Sequence, residues 1–367
     1  MKRIRHVGMD VDKDGIDLAV FDRDGMIPSL EKRIRNEPKT IEREMTKLRA
    51  GGFELRVCYE AGPCGYELKR QMDRMDIWCA VVAPGLVPSR PTDRVKTNRR
   101  DALKLGQNLR AGQLDPIHVP TPETESVRDY VRCRESLKGD VNRRRNRLSK
   151  FLLRHGKVYG QAPWTQGHTS WLNDLEWSLP ALKETFEEYL YMVREAEERI
   201  KRCDDRIAEY AKQEPWMTAV NQLRCFRGVD TLTAMGLKSE IEDFRRFAHA
   251  RSFMSYLGLG VSEYSTGNTR HQGGITKSGN GRVRRLLVEA AWHYRHNPAI
   301  GVRLRKSRQG QPEWLIHMAD KAMHRLYRRF HRLVSRGKLP TVATVAVARE
   351  LAGFLWASQA LHAHPAV

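Results

Sequence analysis

Apolar and polar positions alternate strand-like over the first twenty or so residues and change to helical spacing after residue 40. Ile4 to Asp10 reads as a short apolar strand, and Asp12-Lys13-Asp14-Gly15 supplies turn chemistry. Ile16 to Phe21 alternates as a second strand and ends at another turn, Asp22-Arg23-Asp24-Gly25. A third strand is expected near Met26 to Ile34. Thr40 to Arg49 carries Ile41, Met45 and Leu48 on one helical face and stops at Gly51-Gly52, a C-cap signal. Phe53 to Tyr59 predicts a strand, Tyr66 to Met75 a helix, and Ile77 to Val82 an apolar strand of the buried parallel kind. Asn98 to Leu109 predicts a helix with Ala102, Leu105 and Leu109 inward. The order βββαβαβα predicts an α/β RNase-H-like (RuvC-like) domain over residues 1–115. Such a domain has a hairpin-built sheet edge followed by parallel strands with crossover helices.

Pro116 to Pro122 marks a boundary, and the pattern then becomes helical. Glu125 to Arg154 reads as one long basic helix, broken over Gly156 to His168. Leu182, Phe186, Tyr189, Val193, Ala196, Ile200, Cys203, Ile207 and Tyr210 keep 4/3 spacing over four heptads. That argues a coiled-coil helix, paired either between chains or within a bundle of one chain. Residues 116–215 are thus expected to be a helical coiled-coil spacer, with Trp164, Trp171 and Trp177 as core anchors. Residues 216–367 predict a mainly α domain. Leu223 to Ile241, with CFRGVDTLTAMGLKSEI at its centre, resembles a helix-hairpin-helix, although Asp230 stands where the usual turn has a second glycine. Ser262 to Asn280 is rich in glycine, hydroxyl and basic residues, and reads as a loop able to offer backbone N–H groups to a phosphate. A helix from Arg282 to His296 follows.

Charge sharpens this picture. Lys and Arg number 65 against 44 acids, a formal net charge of +21. Arg128–Lys157 carries a net +8 and Arg282–Arg336 a net +11, so two stretches hold nearly all the excess. Such clusters suit a polyanion, and charge alone does not separate DNA from RNA. Arg143, Arg144, Arg145 and Arg147 in the first cluster, Arg284 and Arg285 in the second, and Arg270 and Lys277 in the polar loop are the candidate backbone contacts. An apolar run of 18 residues is absent, which argues against a transmembrane helix. The opening MKRIRHVGMDVDKD lacks the apolar stretch of a signal peptide. The six cysteines form no CxxC pair, as expected of a reducing cytoplasm.

Three acids fall where that topology converges. Asp10 ends the first strand, Glu60 ends the fourth, and Asp101 lies one turn into the helix that packs across them. Hard cations such as Mg²⁺ take such oxygen ligands, and phosphodiester chemistry uses them. Asp12, Asp14 and Asp93 are decoys of the same residue type. Asp12 would share the face of Asp10 if the strand continued.

GMDVDK (Gly8–Lys13), YEAGPCGYEL (Tyr59–Leu68) and RVKTNRRDALKL (Arg94–Leu105) occur in that order, followed by GVDTLTA, FMSYLGL, SEYSTGNTRHQGGITKSGN and RRLLVEAAW. In order and spacing the chain resembles the Piv/MooV-type DEDD transposases, the bridge-RNA-guided recombinases of insertion sequences. The resemblance implies a Mg²⁺-binding acidic site on Asp10, Glu60, Asn98 and Asp101, with an amide at Asn98 in place of the third carboxylate. It implies a serine nucleophile in the C-terminal polar loop. Ser265 is the best match, and Ser262 and Thr266 are close competitors. It also implies strand exchange through a phosphoserine link, guided by a structured noncoding RNA, in a dimer or tetramer whose subunits share the site. Two other readings compete: a RuvC-type structure-selective nuclease using the acids alone, and an inactive nucleic-acid-binding derivative.

Overall fold

A computed structural model gives the fold and describes residues 3–22, 25, 27–88, 97–267 and 269–361. The chain forms two compact units, Met1–Pro120 and Thr121–Val367. Asp93 and the end of the chain from residue 362 lie outside the described residues, as do Met26, Arg94–Lys96 and Asn268.

The first unit is a mixed α/β layer. Its strands are β1 (Arg3–Val11), β2 (Gly15–Asp22), β3 (Leu30–Arg35), β4 (Phe53–Glu60) and β5 (Trp78–Val82), in the sheet order β3-β2-β1-β4-β5. β2 runs antiparallel to β1 and β3, while β1, β4 and β5 are parallel. The expected element order is therefore present, with the hairpin at one edge and the crossover strands at the other. Alternation divides the strands between two faces. Val7, Met9, Val57 and Tyr59 pack with Ile41, Met45 and Leu48 of α1 (Pro38–Arg49) and with Leu68 and Met72 of α2 (Glu67–Arg74). On the other face lies α3 (Asn98–Arg110), with Ala102 against Ala19 and Phe21, and Leu105 and Leu109 against Cys58, Ala80 and Val82. The three residues expected to point inward from this helix do so. Each of the two leucines contributes about 1.5–3 kcal/mol of burial, and Ala102 less.

One contact fixes how closely α3 approaches the sheet. A Cβ at Gly8 would fall 2.2 Å from both the Ala102 carbonyl oxygen and the Gly106 nitrogen, and one at Gly106 would fall 2.6 Å from the Phe21 ring. Strand and helix meet backbone to backbone there, which only glycine permits.

The second unit is mainly helical. α4 (Pro122–Arg154) and α6 (Pro180–Tyr210) form an antiparallel pair, with the short α5 (Gln166–Asn173) between them in sequence. Arg134 meets Asp204 at 2.6 Å, Arg144 meets Glu195 at 3.0 Å, and Arg145 meets Glu197 at 2.6 Å. Leu148, Phe151 and Leu152 of α4 pack on Phe186, Leu190 and Val193 of α6, with Trp164, Trp171 and Trp177 around them. The 4/3 seam of α6 is thus covered within its own chain. An apolar stripe does not state which helix covers it, and here α4 is long enough to do so.

The remaining core gathers α7 (Met217–Leu223), α8 (Thr231–Ile241), α9 (Ala250–Tyr256), α10 (Gly281–Ala291), α12 (Glu313–Ser335) and α13 (Pro340–Ala360), with α11 (Val302–Arg308) following α10 in sequence. The centre of α13 is apolar on nearly every side, with Val347, Ala348, Leu351 and Ala352 fully buried. The stretch expected to be a loop instead contains a hairpin, β6 (Val261–Thr266) paired with β7 (Thr269–Ile275). Apart from Ile275, which packs against the helical core, it is exposed, so its polar sequence left no burial pattern, yet its backbone groups pair across the ladder. Among the described residues, no helix is long and apolar enough to cross a membrane.

Candidate active site

Strand register brings the acids of the first unit together. Gly8 and Asp10 share the face of β1 that α3 covers, since side chains two apart point the same way. Cys58 of β4 faces the same helix, donating to the Leu105 carbonyl at 3.5 Å, so Glu60 does too. Met9 is aligned with Tyr59, which sets Asp10 beside Glu60 at the strand ends. Thr97 caps α3, its side chain accepting from the Arg100 N–H at 3.3 Å, which starts the helix so that Asp101 falls in its first turn.

Burial pushes the Asp10 carboxyl up to about 6, helped by the negative charges of Asp101, Asp12, Glu60 and Asp17. Among the described residues, no cation forms an ion pair with Asp10, Glu60 or Asp101. All three are half-buried. Asn98 lies on the same helix end and donates its amide N–H to Asp12, which also faces Arg33 at 3.9 Å. Asp17, directly opposite Asp10 in register, is tied to Arg33 at 2.6 Å. Asp17 was missed as a neighbour of this cluster, although its alternation with Ala19 and Phe21 marks its face. Among the described residues, no three His, Cys, Asp or Glu side chains close into a preformed metal cage. The donors nevertheless suit a hard cation in type and charge: three carboxylates at one end of the sheet with no cation partner among the described residues, one of them, Asp10, held back from ionising by burial and by its acidic neighbours.

The second candidate group lies on the hairpin, whose residues are exposed on both faces. Ser265 stands opposite Arg270, and Glu263 opposite Gln272. The Ser265 hydroxyl donates to Glu263 at 3.0 Å, and Arg270 grips the same carboxylate with contacts of 3.0 and 3.1 Å. Hydrogen bonds from Arg270, Gln272 and Ser265 hold the Glu263 carboxyl far below its ordinary range, at about 2. A carboxylate that acidic is a poor base and a good orienting acceptor. Ser262 is committed elsewhere, donating to the Gly274 carbonyl at 3.0 Å from the opposite strand. Glu263 had no assigned role from sequence; the i, i+2 spacing to Ser265 becomes informative only once the segment is known to be a strand.

The candidate phosphate contacts divide. Arg144 and Arg145 bridge α4 to α6, and Arg145 also stacks on Trp164 with its guanidinium 4.7 Å from the ring centre. Arg284 turns onto the Leu257 carbonyl at 2.8 Å, and Arg285 is held by Glu289 and Glu135. Among the described residues Arg143 pairs only with Asp140, one turn away, and it keeps 71% of its side chain exposed. Arg147 approaches the Met192 sulfur at 3.9 Å and forms no ion pair among the described residues, and Lys277 is exposed with a left-handed backbone, φ 58°. In the helix-hairpin-helix-like segment, Asp230 caps α8 by accepting from the Thr233 N–H at 2.8 Å. Its carboxylate thus occupies the amides a phosphate would need.

Comparison with known proteins settles the lineage. Residues 7–156 match a DEDD transposase family model, and residues 220–330 match the family described as transposase IS116/IS110/IS902. The transposase for insertion sequence element IS1533 of Leptospira borgpetersenii is 38% identical over 347 residues, covering 92% of this chain and 99% of that protein. The chain belongs to the IS116/IS110/IS902 transposase family. A Sinorhizobium fredii protein, y4qE, itself named for a transposase, is 40% identical over 354 residues, covering 96% of this chain and 87% of its own length. As a member of this family the protein is an insertion-sequence transposase, and both matched segments contain one of the two groups just described.

Proposed function

We propose that this transposase exchanges DNA strands through a serine nucleophile and an acidic Mg²⁺ site, guided by a structured noncoding RNA. The single observation that carries the acidic half is the convergence of Asp10, Glu60 and Asp101 on one face without a cation partner among the described residues. The layer holding them has the strand order expected of an RNase-H-like domain. Asp10, Glu60 and Asp101 would hold Mg²⁺, with Asn98 offering a neutral oxygen after leaving Asp12. Bound there, the cation would polarise a phosphate and stabilise developing charge on oxygen.

Ser265 is our choice of nucleophile, because its hydroxyl is exposed and oriented by Glu263 while that of Ser262 is spent on a backbone carbonyl. Its oxygen attacks the DNA phosphorus and the bond to one deoxyribose oxygen breaks. The hydroxyl proton leaves with solvent, and the departing alkoxide takes up another. The phosphoserine link keeps the phosphodiester energy, so a second DNA hydroxyl can reverse the step without ATP. Arg270, opposite Ser265, is suited to the phosphate once it leaves Glu263. Three regions divide the work: the acids in 1–115, helices in 116–215 that present Arg143 and Arg147 to RNA or DNA, and the serine hairpin in 216–367. The resemblance favours acids and serine supplied by different subunits of a homo-oligomer.

The test is strand exchange between donor and target DNA by purified protein, with Mg²⁺ and the RNA flanking its gene. Exchange should require all three and vanish with Ser265→Ala. Cleavage without rejoining, unaffected by Ser265→Ala, would identify a nuclease instead. Salt-sensitive binding with no product, even after Asn98→Asp, would identify an inactive binder.

A further inference from the structure

A cavity of about 940 Å³ opens at the root of the β6–β7 hairpin, within the second unit. Its floor is aliphatic: Met254 of α9, Ile275 of β7, and Val342, Val345 and Ala346 of α13. Val342 is 52% exposed there and Val261 37%, so apolar surface is left to water. The rim is basic. Arg325 and Arg329 share Glu350, at 2.8 and 3.3 Å. Arg251, Lys277 and Arg349 have no ion-pair partner among the described residues. Gly273 and Gly274 form part of one wall, so the backbone there carries no side chain. An occupant that satisfies both floor and rim must join an apolar body to several negative charges.

We propose that this cavity holds one unstacked nucleotide of a single DNA strand. Its base would cover the aliphatic floor and its flanking phosphates would meet Arg251, Lys277 and Arg349. Extruded bases are commonly held by apolar walls, and each contacted phosphate needs its own cation. The source is DNA because a transposase works on DNA and the cavity adjoins the hairpin. Val261 at the cavity and Ser265 are four strand residues apart, about 13 Å at 3.3 Å per residue. A strand seated in the cavity therefore passes within a few nucleotides of Ser265. The location beside the reacting phosphate rests on Ser265 being the nucleophile; the cavity itself does not.

The experiment uses full-length protein carrying Ser265→Ala with divalent metal chelated, so no chemistry intervenes whether or not Ser265 is the nucleophile. Single-stranded DNA oligonucleotides of the element's end carry 2-aminopurine at successive positions, and fluorescence is read on binding. A several-fold rise at one position is expected, since burial in an aliphatic cavity relieves stacking. Ala346→Trp fills the floor and should remove the rise and weaken single-strand binding about tenfold, the order of the apolar burial lost with one base. Val342→Trp, at an exposed floor position that tolerates bulk, should do the same and guards against misfolding of the first variant. Arg349→Glu should weaken binding and flatten its salt dependence. The proposal is overturned if no position brightens, if brightening survives both Trp variants, or if only RNA of the same sequence brightens. Unchanged oligonucleotide binding with lost self-association in the Trp variants would also overturn it, assigning the cavity to a protein partner.

Discussion

The two groups singled out in this transposase are built in opposite ways. Asp10, Glu60 and Asp101 come from distant parts of the sequence and meet because strand register and the Gly8–Gly106 contact set α3 against the sheet. Ser265, Glu263 and Arg270 lie within eight residues of one another on an exposed hairpin, and meet through local pairing. A site assembled by tertiary packing is stiff, and burial beside other acids makes Asp10 harder to ionise. A site on a two-stranded ribbon is mobile in principle and depends on ionic ties that salt can loosen.

Removing any one acid is the harshest way to separate the two. Asp10→Ala, Glu60→Ala and Asp101→Ala should each lower strand exchange about a thousandfold or more, the worth of several kcal/mol of charge stabilisation. Circular dichroism and melting should show an intact fold. If exchange survives all three, the acidic half of the comparison fails.

Packing is the next lever. Gly8→Ala forces a methyl into the backbone of α3 and should cost about 3 kcal/mol, the upper part of the overpacking range. Gly267→Ala at the hairpin turn meets no neighbour and should cost about 1 kcal/mol, from its positive φ alone. Thermal melts of both variants measure the contrast. Equal losses would mean that α3 is not held by that contact.

The acid cluster also predicts a pH dependence. Asp10 titrates at about 6 in the native protein against an ordinary 3.8, so between those values the folded state holds the proton more tightly. Stability of the metal-free protein should therefore fall as pH rises from about 4 to about 6 and stay lower above that. Asp10→Asn should flatten this window in urea titrations while abolishing exchange, the behaviour of a site that trades stability for function. A wild-type profile that is flat over this window, or unchanged by Asp10→Asn, would contradict the burial of Asp10 among other acids.

The smallest effects concern the arginines. Arg145→Glu should lose about 1 kcal/mol through Glu197 and Trp164, and Glu197→Arg should restore part of it. Arg147→Glu should leave the melt unchanged and weaken RNA or DNA binding. Fluorescence anisotropy and melts of the same preparations decide this. Equivalent behaviour of the two variants would mean that position along α4 does not divide clamp from contact.

These contrasts explain what could be read from sequence. The α/β layer was legible because period-two alternation and apolar crossover strands encode face and order, and the positions of Asp10, Glu60 and Asp101 follow from that order. Asp17 escaped because its role depends on register, which alternation within one strand does not give. The pairing of α6 stayed open because its stripe specifies an apolar partner without naming it. The serine hairpin was read as a loop because both its faces are wet, so no hydrophobic pattern records it. The stretch of arginines read as one basic face because sequence does not show which of them Glu195 and Glu197 engage.

The central claim is that the hairpin serine and the acid cluster act in one reaction. Its most direct test traps the protein on a suicide DNA substrate with Mg²⁺ and the flanking RNA, digests the product, and locates the DNA-linked residue by mass spectrometry. The account predicts a single phosphate-linked residue, Ser265, and no link when Asp10 is replaced by alanine. A link on Ser262 or Thr266, a link that persists without Asp10, or cleaved DNA with no link would contradict it.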